Sequence, residues 1–274
     1  LDVQAKIVDS KTLEKSHEQE IKNFELAKIS EEELHQVSSY LKNSRRPIIL
    51  LGGGFQRFGD SIKIFHEKIS KLNIPVMTTW NALDRIDSDH PLYFGRPDNW
   101  GQRYSNILLQ QSDLLIAVGA KLSFQQTGFN WQSFIPNGKI IQIDCDENEL
   151  NKGHPHVDFP LAVDANDFIE KMLLIDYFAP NEWLSFCLEV KNLLPLDDSN
   201  NKNKEQYLSP YKFVEKLSKI STNHDVIIPC SSGGASTVMM QAFLQKKGQI
   251  VINNKALASM GYGLSGAIGA SIAY

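Results

Sequence analysis

The sequence has few cysteines, no long apolar run and no strong charge of either sign. Its three cysteines, Cys145, Cys187 and Cys230, are widely spaced, which is typical of reduced thiols rather than of a disulfide-stabilised secreted domain. No apolar run approaches the roughly 20 residues that a membrane-spanning helix needs. A formal net charge of −4 gives no reason to expect nucleic acid or an anionic membrane as a partner. We therefore expect a cytoplasmic globular protein.

Charge is also missing from the last part of the chain. Residues 248–274 contain no acidic residue and a single basic one, Lys255, and small residues recur every two to four positions. Such a segment lets backbone approach backbone or a ligand closely. Free N–H groups at the start of a following helix would form an anion site. We predict a loop here that leads into a buried apolar helix.

What is present is a regular alternation of apolar strands and amphipathic helices. Hydrophobic residues make up 42% of the 274 residues and charged residues 22%, as in an ordinary globular protein. A capping box at Ser30 and Glu33 predicts a helix through Leu41, and a second helix is predicted over residues 59–72. Strands are predicted at residues 47–51, 74–77, 114–118 and 140–144. Because these strands are apolar on both faces, they indicate a doubly wound, Rossmann-like parallel α/β domain.

Polar stretches divide the chain into four regions. A second α/β unit is expected to open at Ser209-Pro210, since proline suits the first position of a helix. A strand at residues 225–229 and a small polar turn then precede the next helix. The predicted regions are a linker at 1–25, the central domain at 26–177, a linker at 178–206, and the truncated start of a second α/β domain at 207–274.

Both ends of the sequence indicate a piece of a longer polypeptide. The chain begins at Leu1 without methionine. At the other end, Tyr274 closes an apolar run with no glycine, asparagine or cationic residue to end a helix. We therefore expect further protein segments on both sides.

Residues 258–270 read Ala-Ser-Met-Gly-Tyr-Gly-Leu-Ser-Gly-Ala-Ile-Gly-Ala. This run resembles the cofactor loop of thiamine diphosphate enzymes of the acetolactate synthase type, where Gly-Ser/Thr-Met-Gly-Tyr/Phe-Gly-Leu-Pro-Ala-Ala-Ile-Gly-Ala contacts the aminopyrimidine. Four more pieces follow the family's order: a Gly-Gly-Gly after a strand, Asp-Leu-Leu-Ile-Ala-Val-Gly-Ala at 113–120, Thr-Gly at 127–128, and Ile-Asp-Cys-Asp-Glu-Asn-Glu-Leu-Asn-Lys at 143–152. Each piece alone is weak, but the ordered set is specific.

The resemblance implies a carboligase or lyase that acts on a 2-keto acid, with pyruvate as the default substrate. Its cofactors would be thiamine diphosphate and Mg²⁺, and its active sites would form between chains of a homodimer or homotetramer. The family's catalytic glutamate would lie upstream of Leu1 and its magnesium motif after Tyr274, so this segment alone is expected to be inactive and to bind the cofactor poorly.

The same resemblance assigns roles to individual residues. Ser232, Gly233 and Gly234 would hold the diphosphate, because small side chains expose amide donors to an anion. The backbone of Ala258, Ser259, Met260 and Gly261 would contact the aminopyrimidine, and the Met260 side chain would hold the cofactor in its bent form. Candidates for a nucleotide or for FAD are Gly52, Gly53, Gly54, Gly119, Ala120 and Asp144.

Because the sequence departs from the family pattern at two segments, it leaves open whether the protein binds FAD. Residues 121–126 read Lys-Leu-Ser-Phe-Gln-Gln where those enzymes show an Arg-Phe-Asp-Asp type of segment that helps to hold FAD. Residues 95–101, Gly-Arg-Pro-Asp-Asn-Trp-Gly, also differ from the usual Gly-Met-His-Gly form.

Other interpretations of the same residues stay open at this point. A non-catalytic module would use the 52–54 turn for ADP, FAD or NAD, and an oxidoreductase would use it for NAD; however, this turn fails the Gly-x-Gly-x-x-Gly pattern. Asp144 suits a ribose contact, although an acidic helix start explains it better. For His154-Pro155-His156 a surface loop is favoured over a metal site, and for Cys230 a turn residue is favoured over a nucleophile.

Overall fold

The computed structural model describes residues 9, 11, 26–196, 205–230 and 232–273. The predicted linker at 1–25 therefore lies almost entirely outside the described residues, as do the polar stretch at 197–204, Ser231 and Tyr274. The strands are β1 (Pro47–Leu51), β2 (Val76–Thr78), β3 (Leu114–Val118), β4 (Lys139–Ile143), β5 (Phe159–Leu161), β6 (Val226–Ile227) and β7 (Ile250–Val251). The helices are α1 (Glu31–Asn43), α2 (Asp60–Lys68), α3 (Arg103–Gln111), α4 (Phe124–Thr127), α5 (Glu147–Leu150), α6 (Ala165–Met172), α7 (Asn181–Leu193), α8 (Pro210–Ile220), α9 (Gly233–Ala242) and α10 (Tyr262–Ala273).

The central sheet has five parallel strands in the order β2-β1-β3-β4-β5. The prediction of a doubly wound parallel α/β fold is confirmed. In this strand order the chain reverses direction across the sheet between β1 and β3. Open parallel sheets bind ligands in the crevice at the carboxyl ends of the strands at such a switch point.

Alternate residues of each central strand face opposite layers of helices. On β1, Ile49 and Leu51 pack with helices α1, α2 and α6. Ile48 and Leu50 pack on the other face with α3 and α7. Every residue of β1 is buried, as expected for a strand covered on both sides.

The first helix begins at the predicted capping box. The Glu33 carboxylate accepts a hydrogen bond from the Ser30 backbone N–H at 2.8 Å, and Ser30 Oγ accepts from the Glu33 N–H at 3.3 Å. The second helix is shorter than predicted, because its α-helical part ends at Lys68 and a 3₁₀ turn, Ile69–Lys71, continues the chain. The second strand begins at Val76 instead of residue 74, since Pro75 has no N–H to donate to the sheet.

The predicted linker at 178–206 contains a helix that belongs to the core. Helix α7 buries Trp183 and Cys187 against the second face of the sheet. The indole N–H of Trp183 donates to the Pro47 carbonyl at 3.0 Å. This part of the linker prediction is corrected: apolar residues of α7 pack on one face of the sheet, although the composition of the segment as a whole is polar.

The second unit is a small parallel pair, β6 and β7, with helices α8 and α9. Helix α8 begins at Pro210 after Ser209, as predicted. Met240 and Val251 of this unit pack with Trp80 and Leu83 of the central domain. The expected strand at 225–229 is reduced to two residues.

Helix α10 is exposed, which contradicts the prediction of a buried apolar helix. None of its residues is buried, and Leu264, Ile268 and Ile272 are 54–82% exposed. The apolar composition was predicted correctly, but no described element covers this helix. In the described part of the chain, no helix is both long and apolar enough to cross a membrane.

Candidate functional site

The segment expected to contact an aminopyrimidine forms a turn ahead of α10. Ala258 has a positive φ of 48°, and its N–H donates to the Asn254 carbonyl at 2.7 Å. Gly261 has a φ of 84°, which glycine adopts at little cost. The Met260 side chain between them is 92% exposed. The turn thus presents an apolar side chain outward, next to backbone that is folded back on itself.

The turn expected to hold a diphosphate forms the start of helix α9. Ser232 is the N-cap residue, and its side chain makes no capping hydrogen bond. Gly233 has a φ of 70°, and no heavy atom lies within 4 Å of the position of a Cβ on Gly233 or Gly234. The first amides of this ten-residue helix are therefore open on the side where an anion would bind.

The structure brings these two segments together through Cys230 and Gly263. A Cβ placed on Gly263 would lie 3.2 Å from the Cys230 Cα, so the first turn of α10 packs against the residue two positions before Ser232. Cys230 itself has a positive φ of 53° and belongs to the turn, as the sequence suggested. The residues that follow the Met260 turn thus contact the residues that lead into helix α9.

A loop of the central domain, residues 95–102, contacts the end of α9 and the residues just before the Met260 turn. Its departure from the family form was visible in the sequence, but its contacts were not predicted. Arg96 and Gln102, at the two ends of this loop, donate hydrogen bonds to main-chain carbonyls at the end of α9. Asp98 pairs with Lys255, three residues before Ala258. Burial lowers the pKa of Lys255, and the neighbouring Asp98 carboxylate opposes this shift. In the sequence, this contact is indicated only by Lys255, which is the single charged residue in residues 248–274.

The glycines proposed for a nucleotide lie at the switch point and contact each other. The N–H of Gly52 donates to the Val118 carbonyl at 2.8 Å, and that of Gly54 donates to the Gly119 carbonyl at 2.9 Å. A Cβ on Gly119 would lie 2.7 Å from the Gly54 Cα. Close packing of the two loops is a sufficient reason for these glycines. Gly53, beside them, is exposed, and the following Ala120 is buried.

Asp144 and Asp146 shape the start of helix α5. Burial raises the pKa of Asp144, while a hydrogen bond from the Asp146 N–H at 3.0 Å opposes the rise. The Asp146 side chain caps α5 by accepting from the Asn148 N–H at 3.0 Å. This arrangement agrees with an acidic helix start.

Glu149 anchors the loop that follows β3. Its carboxylate accepts from the Leu122 N–H at 3.1 Å and from Gln142 Nε2 at 3.2 Å, and it pairs with Lys152. Lys152 also donates to the Leu122 carbonyl at 2.9 Å. The Glu-x-x-Lys part of the 143–152 run therefore has a structural role: it ties one loop to its neighbouring strand.

The histidine pair at 154–156 lies in a surface loop. The His154 ring stacks on Phe124 at 5.1 Å between centroids and lies 6.0 Å from Trp131. Within the described residues, no group of three or more His, Cys, Asp or Glu side chains could hold a metal ion.

Comparison with known proteins identifies the central domain. Residues 34–172, half of the chain, match the family described as "Thiamine pyrophosphate enzyme, central domain". The chain belongs to the thiamine pyrophosphate enzyme family. The predicted family membership is confirmed.

The curated relatives of this thiamine pyrophosphate family member are acetolactate synthases by name. A probable acetolactate synthase large subunit from Methanocaldococcus jannaschii is 29% identical over 251 residues, covering 88% of this chain and 41% of that protein. The acetolactate synthase isozyme 1 large subunit of Escherichia coli K12 is 28% identical over 246 residues, covering 89% and 42%. Acetolactate synthase 1, chloroplastic, from Zea mays is 29% identical over 246 residues, covering 88% and 37%. The chain spans about two fifths of the length of these relatives.

The region that matches the thiamine pyrophosphate central domain contains β1 to β5 and the loop at 95–102. The two candidate cofactor segments, at 232–234 and 258–261, follow it in the sequence. The second unit contacts the family's central domain through Arg96 and Gln102 at the end of α9 and through Asp98 at Lys255.

Proposed function

We propose that this chain is part of a thiamine diphosphate-dependent carboligase or lyase that acts on a 2-keto acid, with pyruvate as the first substrate to test. The observation that carries the proposal is the juxtaposition of the two candidate cofactor segments. Gly263, two residues after the Met260 turn, packs against Cys230, two residues before Ser232 at the start of α9. Membership of the thiamine pyrophosphate enzyme family supports the same assignment.

The start of α9 fits a diphosphate. Ser232, Gly233 and Gly234 are small, and the space beside both glycines is open. The N-terminal amides of a helix attract anions through their free N–H groups and the helix dipole. We propose that these amides bind the diphosphate oxygens. Mg²⁺ would accompany the diphosphate, with its protein ligands outside the residues described here.

The Met260 turn fits an aminopyrimidine. The carbonyl of Ala258 and the backbone of Met260 would bind its polar atoms, and Ser259 and Gly261 would shape the turn around them. The Met260 side chain is apolar, unbranched and 92% exposed, which suits a residue that packs under a ligand. When bound, the cofactor supplies the carbanion that attacks a keto acid. The protein's part is to orient the cofactor and to exclude water.

The active assembly is proposed to contain at least two copies of the chain. The resemblance to the acetolactate synthase group supports this state. The exposed apolar side chains of α10, Leu264, Ile268 and Ile272, give further support, since such surface is commonly covered in assemblies. Sedimentation of the purified full-length protein would distinguish a monomer from a dimer or a tetramer.

The direct test is consumption of 2-keto acids by the purified full-length protein. We expect release of CO₂ from pyruvate and formation of acetolactate when both thiamine diphosphate and Mg²⁺ are supplied, and none when the cofactor is omitted. Activity with 2-ketobutyrate but not with pyruvate would keep the reaction class and change the substrate. No consumption of any 2-keto acid, with the cofactor shown to be bound, would overturn the proposal.

A further inference from the structure

The only charged side chain in residues 248–274 points away from solvent. The Lys255 side chain is 17% exposed, and its ammonium group pairs with the Asp98 carboxylate, whose side chain has no exposure. The ammonium group also lies over the ring of Trp80, 4.2 Å from the centroid. A lysine in an otherwise uncharged segment is thus desolvated against two groups of the central domain. Removing two charged groups from water costs free energy unless their hydrogen-bonding geometry is good, so this buried ion pair calls for a functional explanation.

The acidic partner is itself held in a rigid loop. Asp98 Oδ1 accepts a hydrogen bond from the Trp100 N–H at 3.2 Å. The Asn106 side chain accepts from the Asp98 N–H and donates to its carbonyl, both at 3.0 Å. The Gly101 N–H donates to the same carbonyl at 2.8 Å. These hydrogen bonds hold the backbone and side chain of Asp98 in place within the central domain.

Hydrogen bonds between near neighbours in the sequence order the residues around Lys255, just before the candidate cofactor turn. The Lys255 N–H donates to Asn253 Oδ1 at 3.1 Å, and Asn253 Nδ2 donates to the Trp80 carbonyl at 3.3 Å. The Ala258 N–H bonds to the Asn254 carbonyl at 2.7 Å. Residues 253–258 thus form one turn with Lys255 at its centre, and a shift of Lys255 would move Ala258 and Met260 with it.

The same loop at 95–102 also holds helix α9. Arg96 Nη2 donates to the Gln241 carbonyl at 3.0 Å and to the Phe243 carbonyl at 2.9 Å, and Gln102 Nε2 donates to the Gln241 carbonyl at 2.7 Å. The start of this helix is the proposed diphosphate site. One loop therefore contacts both the C-terminal end of α9 and the turn that contains Lys255.

We propose that Asp98 and Lys255 form a latch that positions the turn at residues 258–261 for the aminopyrimidine. Lys255 is a positioning residue here and touches neither cofactor nor substrate. The inference rests on the proposed function and deepens it. The loop at 95–101 is one of the parts of the sequence that depart from the family's usual form.

If Asp98 and Lys255 position the turn, removal of the Lys255 charge should loosen the turn at residues 258–261. Lys255→Met keeps an unbranched side chain over Trp80 and removes the ammonium group. It leaves the buried carboxylate of Asp98 without its partner, so the double variant Asp98→Asn with Lys255→Met is the companion that leaves no unpaired charge. Lys139→Met is the matched control, because Lys139 also forms an ion pair, with Asp158 at 2.7 Å, on strand β4.

The first measurement is hydrogen exchange of the full-length protein without cofactor, followed in peptides that cover residues 254–262. Lys255→Met and the double variant should each exchange about ten-fold faster or more there, the equivalent of about 1.4 kcal/mol of lost protection. Lys139→Met should leave these peptides unchanged. Unchanged exchange in the double variant, which avoids a buried unpaired charge and so remains folded, would overturn the latch.

The second measurement is the affinity for thiamine diphosphate with Mg²⁺, by calorimetry on the same proteins. We expect about ten-fold weaker binding for Lys255→Met, with Lys139→Met equal to the wild type. Faster exchange with unchanged affinity would overturn the positioning role. If the wild type binds no cofactor at all, the proposed function fails, while the exchange data still decide whether Asp98 and Lys255 hold the turn.

Discussion

The guanidinium group of Arg96 lies 3.0 Å from the main-chain carbonyl of Gln241, at the last turn of helix α9. It also donates to Phe243 O, to Tyr93 OH and to Gln245 Oε1, at 2.9–3.0 Å. Arg96 has no solvent exposure. The carbonyls at a helix C-terminus lack partners within the helix, and a cation there is favourable. A buried arginine of the central domain thus caps a helix of the second unit.

Replacement of this arginine should loosen the second unit. We expect Arg96→Met to destabilise the protein by about 3 kcal/mol, because the buried Phe243 carbonyl and the Gln245 side chain lose their donor and the Gln241 carbonyl keeps only Gln102. Urea unfolding would give the change in the free energy of unfolding. Arg45→Met, at an exposed position, is the control and should have little effect. Equal stability of the two variants would show that Arg96 does not hold α9.

Two neighbouring glycines at the switch point, Gly52 and Gly53, should differ strongly in their tolerance of substitution by alanine. A Cβ on Gly52 would clash with the carbonyl of Gly119, whereas one on Gly53 would lie 3.2 Å from the Asn81 Cβ and 3.7 Å from the Asn81 carbonyl oxygen. We expect Gly52→Ala to cost about 3 kcal/mol, since backbone must move, and Gly53→Ala to cost less than about 1 kcal/mol. Thermal unfolding of both variants tests this. Similar losses in both would mean that the two loops do not pack as described.

Loss of the Glu149 anchor should free the loop after β3. Glu149→Ala leaves the Leu122 N–H without its acceptor and leaves Gln142 Nε2 with the Ala120 carbonyl alone, and Lys152 loses its carboxylate partner. We expect a loss of about 2–3 kcal/mol. Faster exchange of the Leu122 amide should accompany it. Glu147→Ala, on the same helix, serves as the comparison. A larger loss for Glu147→Ala would contradict the assigned role.

Stability should fall as the pH drops below neutral because of two histidines. Burial lowers the pKa of His66 and of His90 from the ordinary 6.5, partly offset by the charge of Asp87; Lys247 lowers that of His66 further. The unfolded chain therefore takes up protons first as the pH falls through 6.5, so stability present above that value is lost below it. We expect His66→Gln to lose less stability than the wild type between pH 7.5 and 5.5 in urea unfolding.

The control for this effect is His35→Gln, at an exposed position of α1. It should show the pH dependence of the wild type. If His66→Gln and His35→Gln both follow the wild-type curve, burial of His66 makes no contribution to acid sensitivity.

Much of the fold was readable in the sequence because its signals are local. Apolar runs such as residues 114–118 indicate buried parallel strands, and Ser30 with Glu33 marks a helix start. The Met260 turn was found by its ordered resemblance to a family loop. Each of these patterns lies within a few neighbouring residues.

The parts that were missed depend on contacts between distant residues. A polar composition concealed helix α7, whose Trp183 is buried only because the sheet face is there to receive it. The contacts of Arg96 with Gln241 and of Asp98 with Lys255 were not predicted, since these partners lie more than 140 positions away. The exposure of α10 was missed because apolar composition indicates burial without saying which element provides it.

The most direct test of this account is a calorimetric titration of the full-length protein with thiamine diphosphate and Mg²⁺, comparing the wild type with Met260→Ala. We expect saturable binding by the wild type and at least about ten-fold weaker binding by the variant, since the apolar side chain under the ligand is removed. Met260→Leu should bind more tightly than Met260→Ala. Absence of saturable binding by the wild type, or equal affinity of wild type and Met260→Ala, would contradict the assignment of this turn to the cofactor.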